Sequence, residues 1–161
     1  MTKLKVRDLM TTEVPTLRPD DTIKKAATRL ALENMSGAPI VDNKNHLLGF
    51  VSENDILTVI MKYQSRLENN IGGDSLLDYS MDSLAESDDN LKKASEEISN
   101  IEMSSIMVRS VMTTTPDASI MEVLRIMLRL GINRIPVLEK GVLVGIISRG
   151  DIIFALYKKK A

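Results

Sequence analysis

The sequence contains no cysteine, no tryptophan, one histidine and only 3% aromatic residues among its 161 positions. Without cysteine the chain forms neither disulfides nor thiolate metal sites, which favours a reducing compartment. The one histidine, His46, lies in a polar Asn-Lys-Asn-His stretch typical of an exposed turn, so we do not expect a Ser-His-Asp catalytic relay. Few aromatic rings also argue against a platform for stacking nucleic-acid bases.

The sequence also has nearly equal numbers of acidic and basic residues and no long apolar run. The formal net charge is −1, so no general field attracts nucleic acid, and the lysine run 158–160 is typical of a solvated tail. No apolar run is long enough for a membrane span, and the first residues do not resemble a signal peptide. With neither a metal-ligand cluster nor a glycine-rich phosphate loop, we expect a cytoplasmic protein without metal or catalytic cofactor that is not an enzyme.

The sequence does contain two copies of one unit, which indicates an internal duplication. We therefore predict a first repeat over 1–57, an acidic helical insert over 58–107, and a second repeat over 108–161, with 104–107 leading into it. The matching segments are 6–12 with 108–114 (Val-Arg-x-x-Met-Thr-Thr), 39–41 with 136–138, and 49–55 with 145–151.

Each copy predicts a helix, two strands and a second helix, hence an α/β fold. Apolar residues recur at helical spacing from Ile23 and again from Ile120, after Pro-Asp pairs at 19–20 and 116–117 that suit helix starts. Asn34 and Gly131 suit the left-handed positions that end helices. Short apolar runs at 38–41, 47–51, 135–138 and 142–147 predict buried strands, with helices starting near Glu53 and Gly150.

Two segments distinguish the copies. A leading strand, Val14–Leu17, is predicted in copy one, whereas only Thr115 separates Thr114 from Pro116 in copy two. The insert is predicted to hold short helices near 75–86 and 89–100. We interpret it as a solvated helical excursion that folding does not require, the alternative being a dedicated partner site.

The pattern Gly-apolar-apolar-Ser-x-x-Asp ends the second strand of each copy and has two interpretations. Ser52 with Asp55, and Ser148 with Asp151, match a capping box, which is a purely structural role. Alternatively, a helix N-terminus and its serine bind phosphate, while the aspartate accepts both hydroxyls of a ribose. The strands around Pro39 and Pro136 would then enclose an adenine.

The chain resembles a pair of cystathionine-β-synthase (CBS) domains, on the Val-Met-Thr-Thr lead, the x-Pro-Val hairpins and the doubled Gly-h-h-Ser-x-x-Asp pattern. The resemblance covers 3–57 and 104–157. It implies two β-α-β-β-α repeats packed with pseudo-two-fold symmetry, and frequent homodimers, so we expect this chain to form a homodimer. It also implies binding of AMP, ATP, S-adenosylmethionine or a cyclic dinucleotide such as cyclic di-AMP in the clefts between repeats.

The two clefts are not expected to be equal. Copy two has Arg134 and Arg149, suited to phosphate, where copy one has Gly37 and Glu53, although each arginine alone also suits a plain surface charge. The resemblance implies that the leading strand of one repeat supports the base bound at the other, which also favours the Asp151 cleft. The main cleft is predicted to use Thr12, Val14, Thr16, Met35, Ser36, Asn133, Arg134, Ile135, Pro136, Ile146, Ser148, Arg149 and Asp151, and a weaker one Ala38, Pro39, Ser52 and Asp55.

The function predicted from these features is a regulatory module that senses an adenine nucleotide and acts on a protein that the sequence does not identify. The alternative is a ligand-free scaffold for dimerisation and interaction, in which Ser-x-x-Asp is only a helix cap.

Overall fold

The structure, a computed structural model, describes residues 3–71, 76–78, 80–81 and 89–158. The lysines at 159–160 and most of the predicted helix at 75–86 lie outside these ranges. The elements follow the chain in this order: α1 (Val6–Leu9), α2 (Ile23–Leu32), β1 (Gly37–Val41), β2 (Leu47–Ser52), α3 (Glu53–Ile71), a 3-10 turn (Leu76–Asp78), α4 (Asp89–Ser99), α5 (Met103–Ile106), α6 (Ile120–Leu130), β3 (Arg134–Glu139), β4 (Val142–Ser148) and α7 (Arg149–Lys158).

The described residues pack as two compact units that interleave along the chain. Unit 1 contains 3–16, Val41–Gly49 and 109–158, and unit 2 contains the described parts of Leu17–Ile40 and Phe50–Val108. Each sequence copy therefore gives its lead segment to the unit built on the other copy. The repeat boundaries predicted above concern the duplication and remain a prediction.

Unit 1 is built on the β3–β4 hairpin. The two strands are antiparallel, Ile135 lies opposite Ile147, and Lys140 and Gly141 turn between them with positive φ, as a two-residue hairpin requires. The lead helix α1 attaches by a hydrogen bond from the Val6 N–H to the Ala118 carbonyl. The buried core holds Val6, Val123, Met127, Ile135, Val137, Ile147 and Ile152.

Unit 2 follows a similar plan and contains most of β1 and the end of β2 from Phe50 onward. All five residues of β1 are buried, as predicted for an apolar strand. Leu17 forms a single parallel bridge with Ile40 rather than the predicted leading strand, because residues 13–16 have no strand partner. Copy two has the matching bridge, between Thr114 and Val137. The deletion in copy two therefore shortens the chain before its helix but leaves this strand contact in place.

The helix ends agree with the sequence in part. Asn34 and Gly131 adopt left-handed φ values of 52° and 66°, as predicted. The N-caps are Thr22 and Ser119, whose side chains accept from N–H groups three residues later, and not the Pro-Asp pairs. Hydroxyl side chains in extended backbone reach these groups, whereas the Pro-Asp pairs lie in the preceding turns.

The structure of the insert contradicts the prediction of a solvated helical excursion. The helix α3 continues through the predicted boundary to Ile71, and α4 packs against α2 and α3. Leu91, Ala94 and Ile98 of α4 are buried, and so is Leu76 of the 3-10 turn. The insert thus contributes core residues to unit 2. Helix α4 matches the predicted helix near 89–100, whereas of the predicted helix near 75–86 the described residues show only the 3-10 turn Leu76–Asp78.

Candidate functional site

The second Ser-x-x-Asp pattern forms the N-terminus of α7 in unit 1. The Ser148 N–H donates to Asp151 Oδ2 at 2.9 Å, and the Asp151 N–H donates to Ser148 Oγ at 3.1 Å. This reciprocal pair is a capping box, so the structural role allowed by the sequence is present. Among the described residues the Ser148 hydroxyl proton has no acceptor and Asp151 Oδ1 has no donor. Both side chains are half-buried, which keeps these atoms accessible.

The first Ser-x-x-Asp pattern forms the N-terminus of α3 in unit 2, and its serine and aspartate side chains bond to each other. The Ser52 N–H donates to Asp55 Oδ2 at 2.8 Å, and the Asp55 N–H donates to Ser52 Oγ at 3.2 Å. In addition, the Ser52 hydroxyl donates to Asp55 Oδ2 at 3.0 Å. The hydroxyl proton that a phosphate would need is therefore already used in copy one.

Around β4, unit 1 brings predicted site residues onto adjacent strands. Arg134 of β3 lies opposite Ser148, and Pro136 lies opposite Ile146. Ile146 exchanges two backbone hydrogen bonds of 2.9 Å with Thr11. Because an antiparallel strand directs successive bonds to opposite sides, the lead segment pairs with the edge of β4 away from β3. This arrangement places Thr12 beside the same strand that ends at Ser148.

Gly145 allows this close approach of the lead segment. A Cβ atom on Gly145 would lie 2.7 Å from Met10 Sδ and 3.0 Å from the Thr11 carbonyl oxygen. The glycine of the repeated pattern is thus explained by backbone packing in copy two. Thr11 and Met10 were not among the predicted site residues, and the glycine was the signal that could have pointed to them.

Arg149 binds main-chain carbonyls at the end of α6. Its Nε donates to the Ile132 carbonyl at 3.1 Å and its Nη2 to the Met127 carbonyl at 3.2 Å, while its N–H donates to the Asn133 carbonyl at 3.0 Å. The predicted phosphate contact of Arg149 would have to use its remaining donors. The carbonyls involved carry no side-chain signal, so sequence reasoning could not identify them.

The remaining predicted residues divide between the units. In unit 1, Thr12, Asn133 and Arg134 are exposed, Val14, Thr16, Ile146 and Arg149 are half-buried, and Ile135 and Pro136 are buried. In unit 2, Met35 is half-buried, Ser36 is exposed, and Ala38 and Pro39 are buried in β1. The Ser36 carbonyl accepts from the Glu53 N–H at 2.8 Å, which repeats the link between Asn133 and Arg149.

Two carboxylates outside the candidate site have shifted pKa values. In unit 1, the Arg7 side chain donates to Asp117 at 2.6 Å, and this bond lowers the pKa of the Asp117 carboxyl below its ordinary value. The pKa of Asp42 is lowered chiefly by a hydrogen bond from the backbone N–H of His46.

Unit 2 also carries two grooves that contain none of the predicted site residues. One of about 410 Å³ lies between α3 and α4 and is lined by Tyr63, Arg66, Lys93 and Glu97 among others. An apolar one of about 220 Å³ is lined by Ile23, Ala27, Ile56, Ile60 and Ile98 among others.

The described ranges contain neither a candidate membrane span nor a candidate metal-ligand cluster. Within them no helix combines the length and apolar character of a bilayer span. Within the same ranges no three histidine, aspartate or glutamate side chains cluster as metal ligands would.

Known proteins are similar to this chain in sequence. The uncharacterized protein MJ1426 of Methanocaldococcus jannaschii is 30% identical over 156 residues, covering 94% of this chain and 90% of that protein. The chain spans only 41% and 45% of two other relatives from that organism.

Solved structures agree with the sequence relatives. The structure of CBSX2 in complex with AMP aligns with a TM-score of 0.70 at 21% identity, covering 98% of both chains. The CBS domain pair of protein MJ0100, in complex with 5-methylthioadenosine and S-adenosyl-L-methionine, aligns with a TM-score of 0.64 at 21% identity over 99% of this chain and 100% of the other. The CBS domain profile matches residues 6–62 and 103–158. The predicted fold class is therefore confirmed, and the chain belongs to the CBS domain family.

Proposed function

We propose that the chain is a regulatory CBS-domain pair that binds an adenine nucleotide at the N-terminus of α7. The observation that carries this proposal is the state of the two Ser-x-x-Asp pairs. Ser148 and Asp151 keep a hydroxyl proton and a carboxylate oxygen for a ligand, whereas the Ser52 hydroxyl is bonded to Asp55. The Asp151 site is accordingly the dominant one, and the Asp55 site, with Ala38, Pro39 and Ser52, is weaker.

Each part of the nucleotide has a partner of suitable chemistry. Asp151 Oδ1 accepts hydrogen bonds from the ribose hydroxyls, and the Ser148 hydroxyl donates to a phosphate oxygen near the positive end of the α7 dipole. Arg134, exposed beside Ser148, adds positive charge. The adenine rests on apolar surface from Ile146 and the 12–16 lead segment.

The known ligands of similar structures support this class of ligand. CBSX2 binds AMP, and the MJ0100 pair binds two adenosine compounds that carry sulfur in place of phosphate. AMP, ATP, S-adenosylmethionine and cyclic di-AMP are therefore the candidates. A module of this kind acts by changing the activity of a partner protein, and its lack of cysteine fits the cytoplasm.

The test is calorimetric titration of the protein, unfolded and refolded to remove carried-over ligand, with each of the four compounds. We expect one strong site per chain for at least one compound. Mass spectrometry of small molecules released from the purified, denatured protein identifies a ligand acquired in the cell. If no compound binds and none is released, the nucleotide-sensing function is wrong.

The second candidate function is a ligand-free interaction scaffold. It is favoured by one observation, that both Ser-x-x-Asp pairs form complete capping boxes and so have a role without any ligand. The same titration separates the two functions, because a scaffold binds none of the four compounds.

We also propose that the chain forms a homodimer through α6 and α7. Seven large apolar side chains on these two helices are exposed, which is unusual for a surface with no partner. In unit 2 the corresponding helices α2 and α3 pack against α4, although Leu32, Leu57 and Met61 on them are also exposed. The exposed residues are Met121, Leu128, Leu130, Ile153, Phe154, Leu156 and Tyr157.

A further inference from the structure

We infer that Arg149 is a positioning residue, which holds the connection between α6 and β3 in place beside Ser148 and Asp151. The inference rests on the proposed function for its ligand, but its structural part can be tested without one. The role differs from the direct phosphate contact expected from its charge.

Arg149 donates hydrogen bonds to three backbone carbonyls, which lie in the last turn of α6 and in the connection from α6 to β3. Its N–H reaches the Asn133 carbonyl, its Nε the Ile132 carbonyl and its Nη2 the Met127 carbonyl, at 3.0, 3.1 and 3.2 Å. The Met127 carbonyl lies in the last turn of α6, near the negative end of the helix dipole, and also accepts from the N–H groups of Gly131 and Ile132. A planar, permanently charged guanidinium suits such carbonyls better than any other side chain.

The position of this connection decides where the site begins. Arg134 follows Asn133 directly and lies opposite Ser148 in the β3–β4 register. Because Arg149 is the first residue of α7 and its side chain bonds to the Ile132 and Met127 carbonyls, one residue links the start of α7 to the connection that enters β3. Releasing the guanidinium would let the entry to β3 move relative to Ser148 and Asp151, which bind the ribose in the proposed function.

Copy one lacks this device. Glu53 occupies the position of Arg149 and keeps only the backbone link, from its N–H to the Ser36 carbonyl at 2.8 Å. A carboxylate cannot donate to carbonyls, so Glu53 cannot form the side-chain bonds that Arg149 forms. This difference, like the difference between the two Ser-x-x-Asp pairs, favours the site in copy two over the site in copy one. Glu53→Met is therefore a matched control for Arg149→Met.

The experiment compares adenosine with AMP, because only AMP carries the phosphate. Affinities are measured for the wild type, Arg149→Met and Arg149→Lys at a temperature where all are folded. For a positioning residue, we expect Arg149→Met to weaken both compounds equally, by about tenfold. Arg149→Lys stays weakened for both, since an ammonium cannot span the two carbonyls as the guanidinium does.

A structural control separates positioning from loss of stability. Ser119→Ala removes the N-cap at the other end of α6 and lowers the melting temperature without touching the connection. We expect Ser119→Ala and Glu53→Met to keep the wild-type affinity for both compounds. A loss in Arg149→Met that is confined to AMP, or is rescued for AMP by Arg149→Lys, makes Arg149 a phosphate ligand and overturns the inference, as does an unchanged affinity.

Hydrogen exchange of the ligand-free protein tests the same role when neither compound binds. Arg149→Met should speed exchange of the amide at position 149, which is bonded to the Asn133 carbonyl, and of the Ile132 amide, which is bonded to the Met127 carbonyl. Unchanged exchange at both amides overturns the inference. Failure of the wild type to bind any adenine compound contradicts only the proposed function.

Discussion

The Ser52 hydroxyl donates a 3.0 Å hydrogen bond to the Asp55 carboxylate. Within the part of the chain that the structure describes, Ser148 and Asp151 form no such bond, although their backbone capping contacts are the same. The first pair satisfies its own polar atoms, whereas the second leaves a donor and an acceptor side by side at a helix N-terminus. The duplicated motif therefore has two different chemical states.

The first prediction concerns this difference. A ligand at a hundred times its dissociation constant stabilises the fold by about 2.7 kcal/mol. For a chain of this size that raises the melting temperature by about 5–10 °C. We expect Asp151→Ala to abolish the rise seen with the tightest-binding adenine compound, because the acceptor for the ribose is lost. Asp55→Ala should keep most of it.

Both substitutions also remove half of a capping box. Each should cost about 1 kcal/mol of unfolding free energy without ligand, so ligand-free melts of both variants provide the baseline. Equal loss of the ligand-induced rise in the two variants would contradict a dominant Asp151 site.

The second prediction concerns the approach of the lead segment to β4. In Gly145→Ala the new Cβ would lie 3.0 Å from the Thr11 carbonyl oxygen, a backbone atom that cannot easily move. We expect a loss of about 1–3 kcal/mol of unfolding free energy in urea melts. Gly150→Ala, in the first turn of α7, is the control: its Cβ would meet only Ser148 Oγ at 3.6 Å, so it should not destabilise.

The third prediction concerns the insert. Replacing 69–100 with a Gly/Ser linker removes the buried face of α4, so we expect the single cooperative melt to be lost, contrary to the expectation from sequence. Ile98→Ala should cost about 2–5 kcal/mol, because Ile98 is 1% exposed. Leu77→Ala, at a residue 58% exposed, should change the unfolding free energy by less than about 0.5 kcal/mol. If the linker variant kept a single cooperative melt at the wild-type melting temperature, folding would not require α4.

Local patterns in the sequence predicted most of the fold because their physics is local. Helical spacing located α2 and α6, and the left-handed positions Asn34 and Gly131 followed from helix-ending chemistry. The Ser-x-x-Asp spacing predicted both capping boxes for the same reason: all the interacting atoms lie within one turn.

Features that depend on distant partners were missed. Leu91, Ala94 and Ile98 have the spacing of a buried helix face, but the acidic residues around them suggested a solvated segment. The sequence suggested a leading strand over Val14–Leu17, but a strand needs a neighbour to bond to, and only Leu17 has one. The targets of Arg149 are backbone carbonyls from another element, which no side-chain pattern reveals.

The fourth prediction concerns pH. The Arg7 bond lowers the pKa of Asp117 below its ordinary 3.8, so the unfolded chain takes up the proton first as pH falls. The pair therefore stabilises unit 1 above about pH 3.8 and loses this effect as pH falls through the lower, folded pKa. Urea melts of the wild type and Asp117→Asn should differ at pH 7 and converge in acid.

Salt provides an independent check on this ion pair. Asp117 is exposed, so its interaction with Arg7 should weaken in high salt, and a double-mutant cycle with Arg7→Gln should report a smaller coupling there. A difference between the wild type and Asp117→Asn that persists in acid would contradict the assignment to ionisation.

The last prediction concerns assembly through α6 and α7. Leu128 is 65% exposed and Phe154 is 61% exposed, and a two-fold contact between copies would cover both. We expect the wild type to have the mass of a dimer in light scattering at micromolar concentration. Leu128→Asp and Phe154→Asp should each give the mass of a monomer with an unchanged fold by circular dichroism, because burying an unpaired carboxylate opposes association. Leu32→Asp is the control: Leu32 lies on α2 and is 81% exposed, so this change should leave the dimer intact. A monomeric wild type, or dissociation by Leu32→Asp alone, would place assembly elsewhere or rule it out.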